Sequence, residues 1–154
     1  MDTLTYFTYQ SPIGKITLAS NGQALTHAFF GKCTLEGVNQ ASSLTNKAAC
    51  ELLEYFSGKR RVFTLPLQPA GSSFQKEVWS EIQTIPYGKK ITYSELATLH
   101  GSPQSLQVIS QAVHKNPLCI FIPSHRIVKA QKSRKQTPEQ QLQNYLLNLE
   151  LSHA

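Results

Sequence analysis

The chain has 154 residues and a mass of 17.2 kDa, long enough for one medium domain or two small ones with a real hydrophobic core. Hydrophobic residues at 40% against 16% charged exclude a natively disordered chain, and no apolar run approaches the roughly 18 residues of a membrane span. The balance of 15 basic to 9 acidic residues, net +6 with a pI near 9.3, suits a nucleic-acid partner without requiring one. The segment MDTLTYFTYQSPIGKI has no charged start followed by an apolar stretch, so a secretion signal is not expected. Cys33, Cys50 and Cys119 are odd in number and widely spaced, which suggests neither a disulfide framework nor a metal cluster. A reducing, cytoplasmic setting is the expectation.

In chain order, TLTYFTYQ alternates β-branched or aromatic residues with others, SPIG is a turn, and KITLAS reads as a second strand. NGQ supplies an asparagine-glycine turn into a third strand, LTHAFFG. Residues 44 to 57 place Leu44, Ala48, Leu52, Leu53 and Phe56 at helical spacing, with Gly58 as the stop. LPLQPAG, carrying Pro66, Pro69 and Gly71, breaks both periodicities and divides the chain into domains at 1–68 and 69–154.

Beyond it the character turns helical. Ser72 or Ser73 caps FQKEVWSEIQTI, whose Phe74, Val78, Trp79, Ile82 and Ile85 form one apolar stripe, closed by Pro86 and Gly88. A strand-like KKIT leads to Tyr93, SELATLH is a short helix, Gly101 turns, and Ser102 with Pro103 opens a further helix through SPQSLQVISQAVHKN. That spacing fits a DNA-binding helix-turn-helix, although two short helices joined by a turn are more often just packing units. LCIFIP is a buried strand or extended segment that delivers Ser124, His125 and Arg126, and Cys119 within it reads as a small buried hydrophobe. KAQKSRK is a basic loop. PEQQLQNYLLNLE ends as an amphipathic helix with Leu142, Tyr145, Leu146 and Leu149 inward. The fold class is therefore α/β (α+β): a small strand-rich domain with one helix, then a mainly helical domain.

A hydroxyl beside a histidine at the end of a buried segment has two readings, a nucleophile with its base or a turn with a polar tip. Sequence neighbours on an extended chain point to opposite sides, which disfavours direct pairing of Ser124 with His125. The wider pattern is more telling. Asn116 and Pro117, an apolar run, then Ile122, Pro123, Ser124, His125, Arg126, Ile127 and Val128 resemble the active-site signature of the O6-alkylguanine-DNA alkyltransferases, in which position 124 is cysteine. FQKEVWSEIQTIPYGKKITYSELA resembles the family's approach to its helix-turn-helix, and LLNLE its closing helix.

The resemblance implies transfer of an alkyl group from guanine O6 to the protein in one irreversible turnover, with the second helix of the helix-turn-helix in the minor groove and the damaged nucleotide extruded. It implies that Asn116 and His125 belong to the network around the nucleophile, with Glu150 orienting the histidine and taking up its proton. It implies that Tyr93 assists the departing guanine and rotates the phosphate backbone, and that Arg126 holds the active-site turn or the two domains. Gln75, Ser94 and Ser102 fall at its DNA-backbone contacts. The implied partner is duplex DNA carrying alkylated guanine, with excision-repair proteins as a handover partner, for a monomer without cofactor, metal or membrane.

Three positions depart from that pattern. Ser124 replaces the thiol, and an alcohol is a far weaker nucleophile toward saturated carbon. Gln107 stands where the family carries an arginine that fills the space of the extruded base. KAQKSRKQTPEQQ has no glycine where the family's loop wraps the guanine, and Lys129, Lys132, Arg134 and Lys135 either grip phosphate or form a solvated face. The expected function is lesion recognition without transfer. The alternatives are an active methyltransferase whose Ser124 is an engineered or variant residue, and a lesion-blind helix-turn-helix binder.

Overall fold

A computed structural model describes residues 4–101, 106–129 and 137–153. The chain forms two compact units, one of residues up to Ala70 together with Pro117–Phe121, the other of Gly71–Asn116 and Ile122 onward.

The first unit is a four-stranded sheet in the order β3-β2-β1-β4, with β1 Thr5–Ser11, β2 Gly14–Ser20, β3 Leu25–Phe30 and β4 Val38–Asn39. The expected strands and the Asn-Gly turn are present: Asn21 Oδ1 accepts from the Gln23 and Ala24 amides while Gly22 takes φ +92. Strand β4 was not expected, because two residues carry no periodicity. It pairs parallel with β1 where the Val38 amide donates to the Leu4 carbonyl. Gly37 permits that approach at φ +144, since a Cβ there would collide with the same carbonyl.

Helix α1, Ser43–Phe56, begins with a capping box in which Ser42 and Thr45 satisfy each other's amides. Its buried line is Thr45, Ala48, Glu51, Leu52, Tyr55 and Phe56. Leu53, expected inward, is 52% exposed, because Tyr55 takes the inward position on the last turn and rings with Phe56 and Phe63. Part of the expected linker is sheet edge: Leu25 donates to the Pro66 carbonyl and accepts from Gln68.

The second unit packs α2, Ser73–Gln83, against α3, Tyr93–His100, and α4, described over Leu106–His114. Ser72 and Gln75 form the capping box of α2. Trp79, buried to 1%, donates from Nε1 to the Ala112 carbonyl at 2.9 Å and so ties α2 to α4. Gly71 is required by that tryptophan, because a Cβ would come within 2.5 Å of the indole ring. Gly101 closes α3 in the left-handed conformation at φ +86, as its place in the turn demands. The expected N-cap at Ser102 and Pro103 lies outside the described residues.

The short strands β5, Ile91–Thr92, and β6, Ile127–Val128, pair in parallel, Ile91 with Ile127 and Thr92 with Val128. Helix α5, Pro138–His153, closes the chain. Its inward line corrects the expectation. Leu146 is buried, but Tyr145 is 42% exposed, and Glu150 is fully buried. A charged group holds the place that an apolar stripe would assign to its neighbours.

Candidate active site

The segment expected as a buried strand or extended run begins as one, Leu118 bridging Ala28 in parallel, and then reaches Ser124 through two tight turns. The Phe121 amide donates to the Cys119 carbonyl around Ile120, whose φ of +72 is strained for a β-branched residue. The Ser124 amide then donates to the Ile122 carbonyl at 2.7 Å around Pro123, which at φ −79 and ψ +64 adopts the common inverse γ-turn. Cys119, expected as a buried hydrophobe, is half-buried.

Ser124, His125 and Arg126 form one turn of 3-10 helix. Asn116, at the end of α4, crosses to it: Nδ2 donates to the Ile122 carbonyl at 2.8 Å and to Ser124 Oγ at 3.2 Å. One amide thus fixes both the backbone leading into the turn and the hydroxyl at its start.

Behind the turn stands a buried carboxylate. Glu150 has no solvent exposure, and its two oxygens accept from His125 Nε2 at 2.6 Å, Arg126 Nε at 2.9 Å, Arg126 Nη2 at 3.0 Å and the Gly88 amide at 3.1 Å. Arg126 also donates from Nη1 to the Ile85 carbonyl at 2.6 Å and lies over the Tyr87 ring. The fork geometry makes this a two-pronged ion pair, the arrangement that best offsets the cost of burying charge.

Arg126 neutralises Glu150, so His125 need not carry charge to keep the carboxylate buried. Burial lowers the His125 pKa below its ordinary value of 6.5; the Glu150 hydrogen bond and charge oppose the shift, and Arg126 reinforces it. A carboxylate only accepts, so Nε2 carries the hydrogen, leaving Nδ1 as the basic nitrogen of the neutral ring. The cluster holds a neutral base, fixed in one tautomer, one residue from a hydroxyl. Every atom of it belongs to the second unit.

Residues 73–152 match the DNA-binding domain of 6-O-methylguanine DNA methyltransferase, and residues 4–69 match its ribonuclease-like domain. The chain belongs to that family. It is 41% identical to a methylated-DNA–protein-cysteine methyltransferase of Methanosarcina barkeri over 80% of this chain and 81% of that one. The constitutive enzyme of Bacillus subtilis is 33% identical over 80% and 79% of the two chains. In structure, the Mycobacterium tuberculosis O6-methylguanine methyltransferase superposes with a TM-score of 0.87 at 33% identity, covering 98% of this chain and 94% of that one. The same mycobacterial protein in complex with DNA matches at a TM-score of 0.87 and 32% identity over 97% and 94%.

The other expected site residues lie on the helices of this second unit. Tyr93 is the first residue of α3, half-buried, its ring stacked on that of His114 at 6.1 Å and 12°. Burial raises its pKa, which keeps the phenol protonated. Ser94 follows it, exposed on the first turn. Gln75 is half-buried, and its Oε1 already accepts from the Ser72 amide within the capping box. Gln107 stands on α4 between Leu106, 40% exposed, and Val108, 51% exposed. Ser102 lies outside the described residues, as do Lys132, Arg134 and Lys135 of the basic loop, while Lys129 is exposed. The structure therefore gathers Asn116 with Ser124, and His125 and Arg126 with Glu150, into two hydrogen-bonded groups joined by one turn of backbone, and pairs β5, ahead of Tyr93, with β6, behind Arg126.

Sequence reasoning missed Gln143. From α5 its Nε2 donates to the His125 carbonyl at 2.9 Å and to the Ile127 carbonyl at 2.7 Å. Its only sequence signal is its spacing from Glu150, about two helical turns along the same face.

Proposed function

We propose that this protein recognises O6-alkylguanine in duplex DNA by extruding the nucleotide, and that it does not accept the alkyl group. The observation that carries the reading is a bonded frame about one turn, in which Asn116 holds the Ser124 hydroxyl and Glu150 holds His125 and Arg126. Membership in a DNA methyltransferase family supplies the substrate class. The relatives are named for transfer to a protein cysteine, and that transfer is displacement at a saturated carbon. A neutral imidazole ionises a thiol readily and an alcohol hardly at all, so Ser124 keeps the shape of the site and loses its nucleophile.

Tyr93 would act on the extruded guanine or its phosphate through a phenol that stays protonated. Ser94, Gln75 and Ser102 would meet the DNA backbone, and Gln107 would hydrogen-bond the orphaned base with less reach than an arginine. An excision-repair protein would then receive the marked site, and the protein would act as a monomer in the cytoplasm.

Equilibrium binding to two duplexes that differ only in one O6-methylguanine tests this. Tighter binding to the lesion is the expected result; equal affinity with strong salt dependence would replace it with the lesion-blind reading. The intact frame also favours a second reading, an active methyltransferase in which Ser124 is a variant or engineered residue. Ser124→Cys discriminates: gain of one alkyl mass supports the second reading, and a folded variant that gains none supports the first.

A further inference from the structure

We infer that Gln143 is a positioning residue for the Ser124 turn, holding Ser124 Oγ within reach of Asn116 by clamping the backbone on both sides of Arg126. An amide nitrogen has two hydrogens, and here both are committed, to the His125 carbonyl at 2.9 Å and the Ile127 carbonyl at 2.7 Å. These carbonyls bracket the residue that binds Glu150. Helix α5 thus grips the turn twice, Glu150 by the side chains of His125 and Arg126 and Gln143 by the main chain. The two grips fix different things. Glu150 sets the orientation of the imidazole and guanidinium, whereas the position of Ser124 follows the backbone, tethered also by the Asn116 bond to the Ile122 carbonyl at 2.8 Å and by the pairing of β6 with β5. Neither the ion pair nor the DNA-facing helices use Gln143, so its loss need not touch them.

The role rests on the reading that Ser124 lies at the working face of the site, and it makes a chemical demand that packing does not. Position 143 must donate two hydrogen bonds. Gln143→Glu has nearly the same shape and only accepts, so it sets oxygens against two carbonyls. Gln143→Lys differs in shape and still donates. A filler of space would tolerate the first better; a clamp tolerates the second better.

The test places a reporter at the turn with Ser124→Cys and follows alkylation of the introduced thiol by iodoacetamide as a function of pH, in the presence of Gln143, Gln143→Glu or Gln143→Lys. The Asn116 amide donates to the group at position 124 and so favours a thiolate there. With Gln143→Glu the midpoint of the profile should move to higher pH, and the rate near neutrality should fall on the order of tenfold. Gln143→Lys should restore it to within about threefold. Simple loosening of the fold would instead speed the reaction at every pH without moving the midpoint. That outcome, an unchanged profile with Gln143→Glu, or an equal shift with both substitutions, would overturn the inference. Lesion preference in the protein with Ser124 intact is read separately: if it is absent while the profile shifts as expected, the functional reading fails and the clamp stands.

Discussion

Among the described residues each unit buries one glutamate on a helix, and the two are treated very differently. Glu51 of α1, 2% exposed, accepts from the Thr64 amide at 2.9 Å and the Thr64 hydroxyl at 2.6 Å, with Arg60 at the margin of ion-pair range at 3.9 Å. Glu150 of α5, fully buried, meets both prongs of a buried arginine, a histidine and a backbone amide. The first carboxylate staples a loop to a helix with mostly neutral donors. The second sits in a charge-balanced cluster that keeps a titratable ring neutral beside a half-buried hydroxyl. Burial of a carboxylate therefore does not mark a site; what sets the second apart is the ionisable ring it holds.

The sharpest way to break the comparison is to neutralise each glutamate. Glu150→Gln leaves the Arg126 cation buried without its counter-charge and should cost about 3–5 kcal/mol in urea unfolding. Glu51→Gln forfeits hydrogen bonds to one loop and should cost about 1–3 kcal/mol. Equal losses would show that the two carboxylates do the same work.

Acid sensitivity sharpens it further. Burial holds His125 below its ordinary 6.5, so as pH falls the unfolded chain takes up the proton before the folded one does. Its contribution to stability is complete above the ordinary value and declines as pH drops from there toward the folded value. His27 of the first unit is likewise lowered by burial and adds to the same decline. Comparing unfolding free energies between about pH 7.5 and pH 5.5, His125→Gln and His27→Gln should each flatten the slope, and the double variant more than either. An unaltered slope in His125→Gln would mean that the ring titrates alike in the folded and unfolded chains, and a steeper one that the folded protein holds it charged.

The smallest effect concerns DNA. Gln107→Arg adds a cation on α4 and should raise affinity for duplex DNA and steepen the salt dependence by about one unit of log–log slope. Lys59→Gln, at an exposed position of the first unit, should leave affinity within about twofold. A larger loss from Lys59→Gln would move part of the DNA surface into the first unit.

Much of this was legible in the sequence where a pattern repeats along the chain. The sequence of β1 alternates, an Asn-Gly turn separates β2 from β3, α2 carries a long apolar stripe behind a serine cap, and Gly101 separates two helices. The signature around Ser124 was legible as well, because it is contiguous. What escaped was set by tertiary partners. Strand β4 exists because the Leu4 carbonyl needs a donor, and Leu53 faces water because Tyr55 fills the core. Tyr145 is exposed because α5 turns its polar residue Glu150 inward to meet Arg126, and Gln143 follows on that face. The turns at Ile120 and Pro123 are hidden in an apolar run that periodicity cannot parse.

The central claim is that this frame holds the lesion and leaves its alkyl group in place. Incubating the unmodified protein with excess O6-methylguanine duplex and measuring the intact mass of the protein tests it most directly. The protein mass should stay unchanged, with full recovery of the methylated base from the bound DNA; gain of one methyl group by the protein would show that transfer takes place.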